Sequence, residues 1–165
     1  MKVSGFFIKF IVVVFGATLA ATLFITPYVN QISAVRRKSE VKINGQIIVA
    51  EVVKTERERN QGLGGREDIG INEGMLFLFD EAGLHPFWMK EMKFAIDIIW
   101  INGNKVVGVT EDISPEPGES DAELALYSPP GLVNKVLELK AGRARLLRTE
   151  AGDLVKIRPL IGTNN

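Results

Sequence analysis

Apolar positions are arranged along this chain in two different ways. From Phe10 to Val29 they run without a charge, F-I-V-V-V-F-G-A-T-L-A-A-T-L-F-I-T-P-Y-V, and show no amphipathic period. Beyond residue 40 they come in short runs broken by Asn-Gly, Asp, Pro and Gly. The first pattern predicts a membrane-spanning helix. Twenty residues rising about 1.5 Å each cover about 30 Å, the thickness of a bilayer's hydrocarbon core. Lys9 stands at one edge, where its stem can reach the interface. Pro27 and Tyr28 lie at the other, where a lost helix bond matters least and an amphipathic ring is favoured.

A cleaved signal peptide is the rival reading, since Ala17-x-x-Ala20 offers small residues for cleavage. Leu23-Phe24-Ile25 continue the apolar run past that point, which favours an uncleaved anchor. The expected organisation is a tail over 1–9, an anchor over 10–29, a linker over 30–40, a domain over 41–161 and a tail over 162–165. Lys2 and Lys9 precede the span and Arg36-Arg37-Lys38 follow it, so the positive-inside rule slightly favours a cytoplasmic domain. Signal-anchor placement favours the extracytoplasmic side of the cell membrane, which is the side expected here.

The second pattern predicts strands. Val41–Val49 reads as a hairpin about Asn44-Gly45, whose residues accept the positive φ of a two-residue turn. Its second strand extends to Val53. Thr55-x-x-Glu58 is a capping box and Gly62 a helix stop, so 56–61 is predicted as a short polar helix. Leu63–Arg66 makes a turn. Gly74–Phe79 is apolar on both faces and predicts a central strand. Asp80–Gly83 then turns the chain. His85–Met89 is extended, because Pro86 biases its predecessor away from helix. Further strands are predicted over 94–101, 105–110 (after a second Asn-Gly turn at Asn102-Gly103), 133–139 and 154–161. A second short helix is expected over 143–149. The fold class is therefore mainly β: an antiparallel sandwich or barrel with one or two short helices, preceded by the N-terminal membrane helix. Ser114–Ser120, with two prolines, reads as an exposed loop.

Composition narrows the chemistry. The chain has 165 residues, 20 basic and 20 acidic, with one His and no Cys. Residues 1–35 hold two of the bases and none of the acids, which leaves a near-neutral domain of 18 against 20. No disulfide, thiolate metal site or cysteine nucleophile is possible, and one His excludes an H-E-x-x-H zinc site. No metal or cofactor is expected. Nucleic acid is not an expected partner either. The Arg143, Arg145, Arg148 group is flanked by Glu138, Glu150 and Asp153 and reads as a solvated helix face.

Two places carry unusual residues. In His85-Pro86-Phe87-Trp88-Met89-Lys90, alternation puts His85, Phe87 and Met89 on one face and Trp88 and Lys90 on the other. An aromatic ring beside a cation, within reach of a carboxylate, resembles the edge of a binding site. The plainer alternative makes Phe87, Trp88 and Met89 core and Lys90 its rim. Asp97 lies inside the apolar run Phe94–Ile101, where a carboxylate needs a partner. Lys90, Arg66 and His85 are the candidates. Asp97 is either a buried latch between strands or a functional carboxylate.

These segments resemble the DUF192 family, small bacterial and archaeal proteins of unknown function. The resemblance covers about residues 43–160. It is carried by Arg59-Asn60-Gln61-Gly62-Leu63 with Arg66, Glu73–Phe79, Phe87-Trp88-Met89-Lys90, Ile96-Asp97-Ile98, Val136–Leu139 with Ala141-Gly142, and Ala151-Gly152-Asp153. Glu91-Met92 stand where the family commonly reads Asn-Thr, Ala95 replaces a usual proline, and Gly64 replaces a Met. The resemblance implies a compact, mostly β, jelly-roll-like domain, often secreted or membrane-anchored, with no established activity, cofactor or substrate.

Three functions follow as expectations. The first is a non-catalytic binding module for a small polar ligand or a protein, using Arg66, Glu73, Trp88, Lys90 and Asp97. The second is a hydrolase or lyase whose acid/base groups come from His85, Asp97, Glu73 and Glu138. The third is a chaperone-like partner of envelope proteins, presenting an apolar patch or an open strand edge.

Overall fold

The computed structural model describes residues 37–160. The expected membrane span over 10–29 lies outside them, and no helix of the described residues is long and apolar enough to cross a membrane. Seven strands and two short helices follow one another: β1 (Lys38–Ile43), β2 (Gln46–Val53), α1 (Glu56–Gln61), β3 (Glu73–Gly83), β4 (Ile96–Asn102), β5 (Lys105–Ile113), β6 (Val133–Lys140), α2 (Arg143–Leu147) and β7 (Val155–Leu160). Strand β1 starts three residues before the expected domain boundary.

All seven strands join one sheet in the order β5-β4-β6-β3-β2-β1-β7. The Asn44-Gly45 hairpin forms as predicted, β1 with β2 through Ile43↔Gln46; the second hairpin joins β4 to β5, but its turn is Gly103-Asn104, because Asn102 is paired with Lys105 and Gly103 at φ 59° supplies the left-handed turn position. Asn44 at φ 48° and Gly45 at φ 83° supply the left-handed turn. The purely antiparallel arrangement is corrected. Strand β2 runs parallel to β3, with Ala50 opposite Gly74 and Val53 opposite Phe77. A hairpin turn dictates only the pair it joins. The 54–72 connection, carrying α1, returns the chain so that β3 starts beside the middle of β2. Strand β3 also does not turn at Asp80. It continues to Gly83, and its register with β6 breaks between Leu78 and Gly83.

A two-sheet sandwich is likewise corrected to a single open sheet. Its edges, β5 and β7, approach each other at the one bridge Lys105↔Leu154. There Val106 N donates to Asp153 O at 2.9 Å and Val155 N to Asn104 O at 2.9 Å. No ladder joins β5 to β7, so the sheet curls without closing into a barrel.

Alternation sends side chains to two cores. One holds Ile43, Ile48, Leu76, Ile99, Leu137 and Val155, with Ala144 and Leu147 of α2 packed into it. The other, on the opposite face, holds Phe77, Ile98, Trp100 and Val136, covered by Leu63, Ile69 and Met89 from the connections. Strand β6 shows the rule: Leu137 and Leu139 face the first core and Val136 the second. Gly74 lets β3 and β6 come together, since a Cβ there would stand 2.7 Å from the Glu138 carbonyl oxygen and 2.9 Å from Leu139 Cδ2.

Candidate functional site

On the second face, α1, the outer residues of β3, the 84–92 segment and β6 enclose a pocket of about 320 Å3. The sequence reads out this arrangement locally. Thr55 accepts a hydrogen bond from Glu58 N at 3.2 Å, and the Glu58 carboxylate accepts from Thr55 N at 3.0 Å and Lys54 N at 3.0 Å. This is the predicted capping box, and these bonds hold the Glu58 carboxyl down at about 2. Gly62 ends α1 at φ 48°. The helix thus presents Arg59, Asn60 and Gln61 to the pocket.

The walls are aromatic. Phe87 pairs with Tyr127, Phe87 N donating to Tyr127 O at 2.9 Å and Tyr127 N to Phe87 O at 2.8 Å. That bridge fixes the 84–92 segment, and its rings pack edge-on. Phe87 lies 4.8 Å from Phe77 and 5.7 Å from Trp100 between centroids. His85 stacks on Phe79 at 3.7 Å, with Nε2 3.2 Å from Glu81 O. Alternation holds as expected: His85 and Phe87 are half-buried and Met89 buried, while Trp88 is 38% exposed at the mouth. Lys90 Nζ lies 5.5 Å from the Trp88 ring centroid and forms an ion pair with Asp121. The expected ring, cation and carboxylate are therefore neighbours, with Asp121 as the carboxylate.

Glu138 of β6 lines the same pocket. It is 4% exposed, and among the described residues its Oε2 has no hydrogen-bond partner. Burial pushes its carboxyl up to about 8, against the pull of the Arg66 charge. Arg66 acts on it through charge alone, while its Nη1 and Nη2 donate to Glu51 at 2.9 and 2.7 Å. Glu73 instead turns back on its own loop and accepts from Gly70 N at 3.1 Å.

Asp97 sits apart from this group. It is fully buried, and its Oδ1 accepts from Asp112 N at 2.9 Å and its Oδ2 from Ala144 N at 2.8 Å. Its partners are backbone N–H groups, not Lys90, Arg66 or His85. It pins the first turn of α2 to β4 and holds Asp112 at φ 55°. That is the latch reading. Of the seven candidates, His85, Trp88, Lys90 and Glu138 line one pocket. Arg66 lies in the connection between α1 and β3, Glu73 opens β3, and neither lines the pocket; Asp97 lies elsewhere.

The sequence reading missed Arg59, Phe77, Phe79 and Leu126 as pocket residues. Phe77 and Phe79 sit on the same parity of β3, so the signal was present but read only as core. The basic triplet also reads differently. Arg143 is buried and donates to Gln46 Oε1 at 3.0 Å and Asn72 Oδ1 at 2.9 Å, while Arg145 pairs with Glu111 and Asp112. A wider hollow of about 520 Å3 beside α1 is lined by Glu56, Arg57 and Glu91 among others. None of its lining residues is buried, so it lacks the walls a small ligand needs. Among the described residues no three His, Asp or Glu stand together as metal ligands.

The model of DUF192, described as an uncharacterized ACR, matches residues 39–157. The chain belongs to the DUF192 family. No curated protein matches it. The DUF192 domain is similar to a crystal structure from Sinorhizobium meliloti, described as a candidate transcription regulator. The TM-score is 0.64 and the identity 25%, over 74% of this chain and 93% of that one. It is also similar to a protein of unknown function from Novosphingobium aromaticivorans. Here the TM-score is 0.62 and the identity 26%, over 72% of this chain and 83% of that one.

Proposed function

We propose that this DUF192 protein is a membrane-anchored binding module whose pocket takes a small ligand. Residues 10–29 hold it in the cell membrane with the domain on the extracytoplasmic side. The reading rests above all on one observation: Glu138, a buried carboxyl whose Oε2 has no hydrogen-bond partner among the described residues, lines a pocket walled by Phe77, Phe79 and Phe87. Apolar walls with a few convergent polar groups are the usual make-up of a ligand site. Trp88 and Leu126, both exposed, add apolar surface at the mouth. A compound library screened by thermal shift is expected to yield ligands whose stabilisation disappears in Trp88→Ala. A screen in which no hit depends on Trp88 rejects the reading. For the anchor, a reporter enzyme active only outside the cytoplasm, fused after Asn165, should be active.

A hydrolase or lyase is the second reading. It is favoured by His85 and Glu138 lining the same pocket, with Glu138 held in the range useful to a general acid. Glu138 is the one carboxylate among the residues lining the pocket, so the paired carboxylates of glycoside cleavage are not assembled there. Turnover of a ligand found in the screen, lost in both His85→Ala and Glu138→Gln, would select this reading.

A further inference from the structure

We propose that the pocket binds a small organic acid, a carboxylate carried on a flat apolar body, with the Arg59 guanidinium as its counter-ion and the rings of Phe77, Phe79 and Phe87 as its walls. This deepens the binding reading above and rests on it.

Two cations line the pocket, Arg59 and Lys90, against the single carboxyl of Glu138. The two cations differ in how their charge is met. Lys90 forms an ion pair with Asp121. Arg59 forms no ion pair among the described residues. Its hydrogen bonds run from Nη1 alone, to the backbone oxygens of Lys54 and Leu78. Those carbonyls fix the guanidinium in place but are neutral, so its charge stays uncompensated. Glu58, its neighbour on α1, is taken up by the cap and accepts from Lys54 N and Thr55 N. Glu138 does not supply the missing anion either. Burial holds its carboxyl at about 8, so at pH 7 it is mostly protonated, and its Oε2 is sealed from solvent. The lining as a whole is therefore positive at neutral pH.

The guanidinium is also set up to receive a carboxylate. Arginine carries five N–H donors in a rigid fork. Among the described residues nothing accepts from Arg59 Nε or Nη2. These two nitrogens share one edge of the fork and offer parallel N–H groups at the spacing of two carboxylate oxygens. The two carbonyls at Nη1 and the Phe79 ring, whose centroid is 5.0 Å from Cζ, already restrict the side chain. Little freedom is left for a ligand to remove. Phe77 and Phe87, packed edge-on at 4.8 Å, offer the apolar body its contact. A cationic ligand would meet the Arg59 charge directly. A neutral one would take the N–H bonds but leave that charge unmet beside aromatic walls, where it is screened less than in water. A carboxylate answers both.

The test is calorimetric titration of the full-length chain in non-ionic detergent at pH 7. Phenylacetate, phenylacetamide and benzylammonium are compared, which share one ring and differ in charge. Phenylacetate is expected to bind at least about tenfold more tightly than phenylacetamide, with benzylammonium weakest. Arg59→Gln should bring phenylacetate down to the level of phenylacetamide. Raising KCl from about 0.05 M to about 0.5 M should weaken phenylacetate several-fold and leave phenylacetamide unchanged. If Arg59→Gln does not fold, that salt comparison decides alone, and an equal response of the two probes overturns the charge. Phenylacetamide or benzylammonium binding as tightly as phenylacetate, in a manner abolished by Trp88→Ala, overturns the acid and leaves a binding pocket. A preference for phenylacetate that survives in Arg59→Gln overturns Arg59 as the counter-ion. Absence of binding by all three overturns the assignment too, and the pocket reading then stands on the compound screen.

Discussion

Glu138 and Asp97 are both buried carboxylates, and their surroundings decide what each does. Asp97 receives two backbone N–H bonds across 15 and 47 residues of sequence. Asp97→Ala should therefore leave one buried donor, Ala144 N, and one part-buried donor, Asp112 N, unpaired and destabilise the domain by roughly 2–3 kcal/mol, read by urea unfolding. Among the described residues Glu138 has no partner at Oε2, and its contribution to stability depends on pH. Its folded-state carboxyl titrates at about 8, above its ordinary 4.5, so the folded protein binds a proton that the unfolded chain has already lost. Its stabilising term is full below about pH 4.5 and is lost as pH rises towards about 8. Unfolding free energy should fall by roughly 1 kcal/mol per pH unit between pH 5.5 and 7.5, and Glu138→Gln should flatten that slope. A slope unchanged in Glu138→Gln would assign the pH dependence to another group. Sequence alone placed Asp97 in an apolar run and Glu138 in a predicted strand but could not tell their roles apart. The difference lies in where Asp112 N and Ala144 N arrive, which depends on the tertiary fold.

At the level of elements, α1 holds a wall of the pocket through its cap. Thr55→Ala removes the side-chain acceptor for Glu58 N and should cost about 1 kcal/mol. It should also shrink any ligand-induced rise in Tm, because Arg59, Asn60 and Gln61 move with the helix. Gly74→Ala tests the contact between β3 and β6. A methyl there meets backbone and Leu139 together, so a loss of about 1–3 kcal/mol is expected from thermal or urea unfolding. The hairpins, α1 and the double-faced β3 were legible because each is written in neighbouring residues: Asn-Gly, Thr55-x-x-Glu58, and an unbroken apolar run. The parallel β2–β3 pair was not, since nothing local in β2 or β3 names its partner. Nor was the continuation of β3 through Asp80–Gly83. The polar residues there suggested a turn, whereas the chain meets a register break and resumes pairing at Gly83↔Val133.

For the whole molecule, the residues of both cores lie between Val41 and Val155. On the proposed anchor, removing residues 1–36 should move the protein from the membrane to the soluble fraction on cell fractionation while leaving a cooperative unfolding transition. Loss of that transition would mean that the domain depends on its N-terminal segment. The candidate site was legible as a neighbourhood, His85–Lys90, but not as a pocket. Its floor and back wall come from β6 and β3, which reach it only through the strand order.

That order has one more consequence. Strand β7 returns to the first strand, so Lys38 and Leu160 stand directly opposite each other. The domain's way in and its way out are side by side, as at the two ends of a closed loop. A short Gly-Ser bridge from Leu160 to Lys38, with new ends opened at Gly118 in the 114–132 connection, should give a circular permutant with the same sheet and the same pocket. The linear order of the strands would then matter less than the ring in which they are joined.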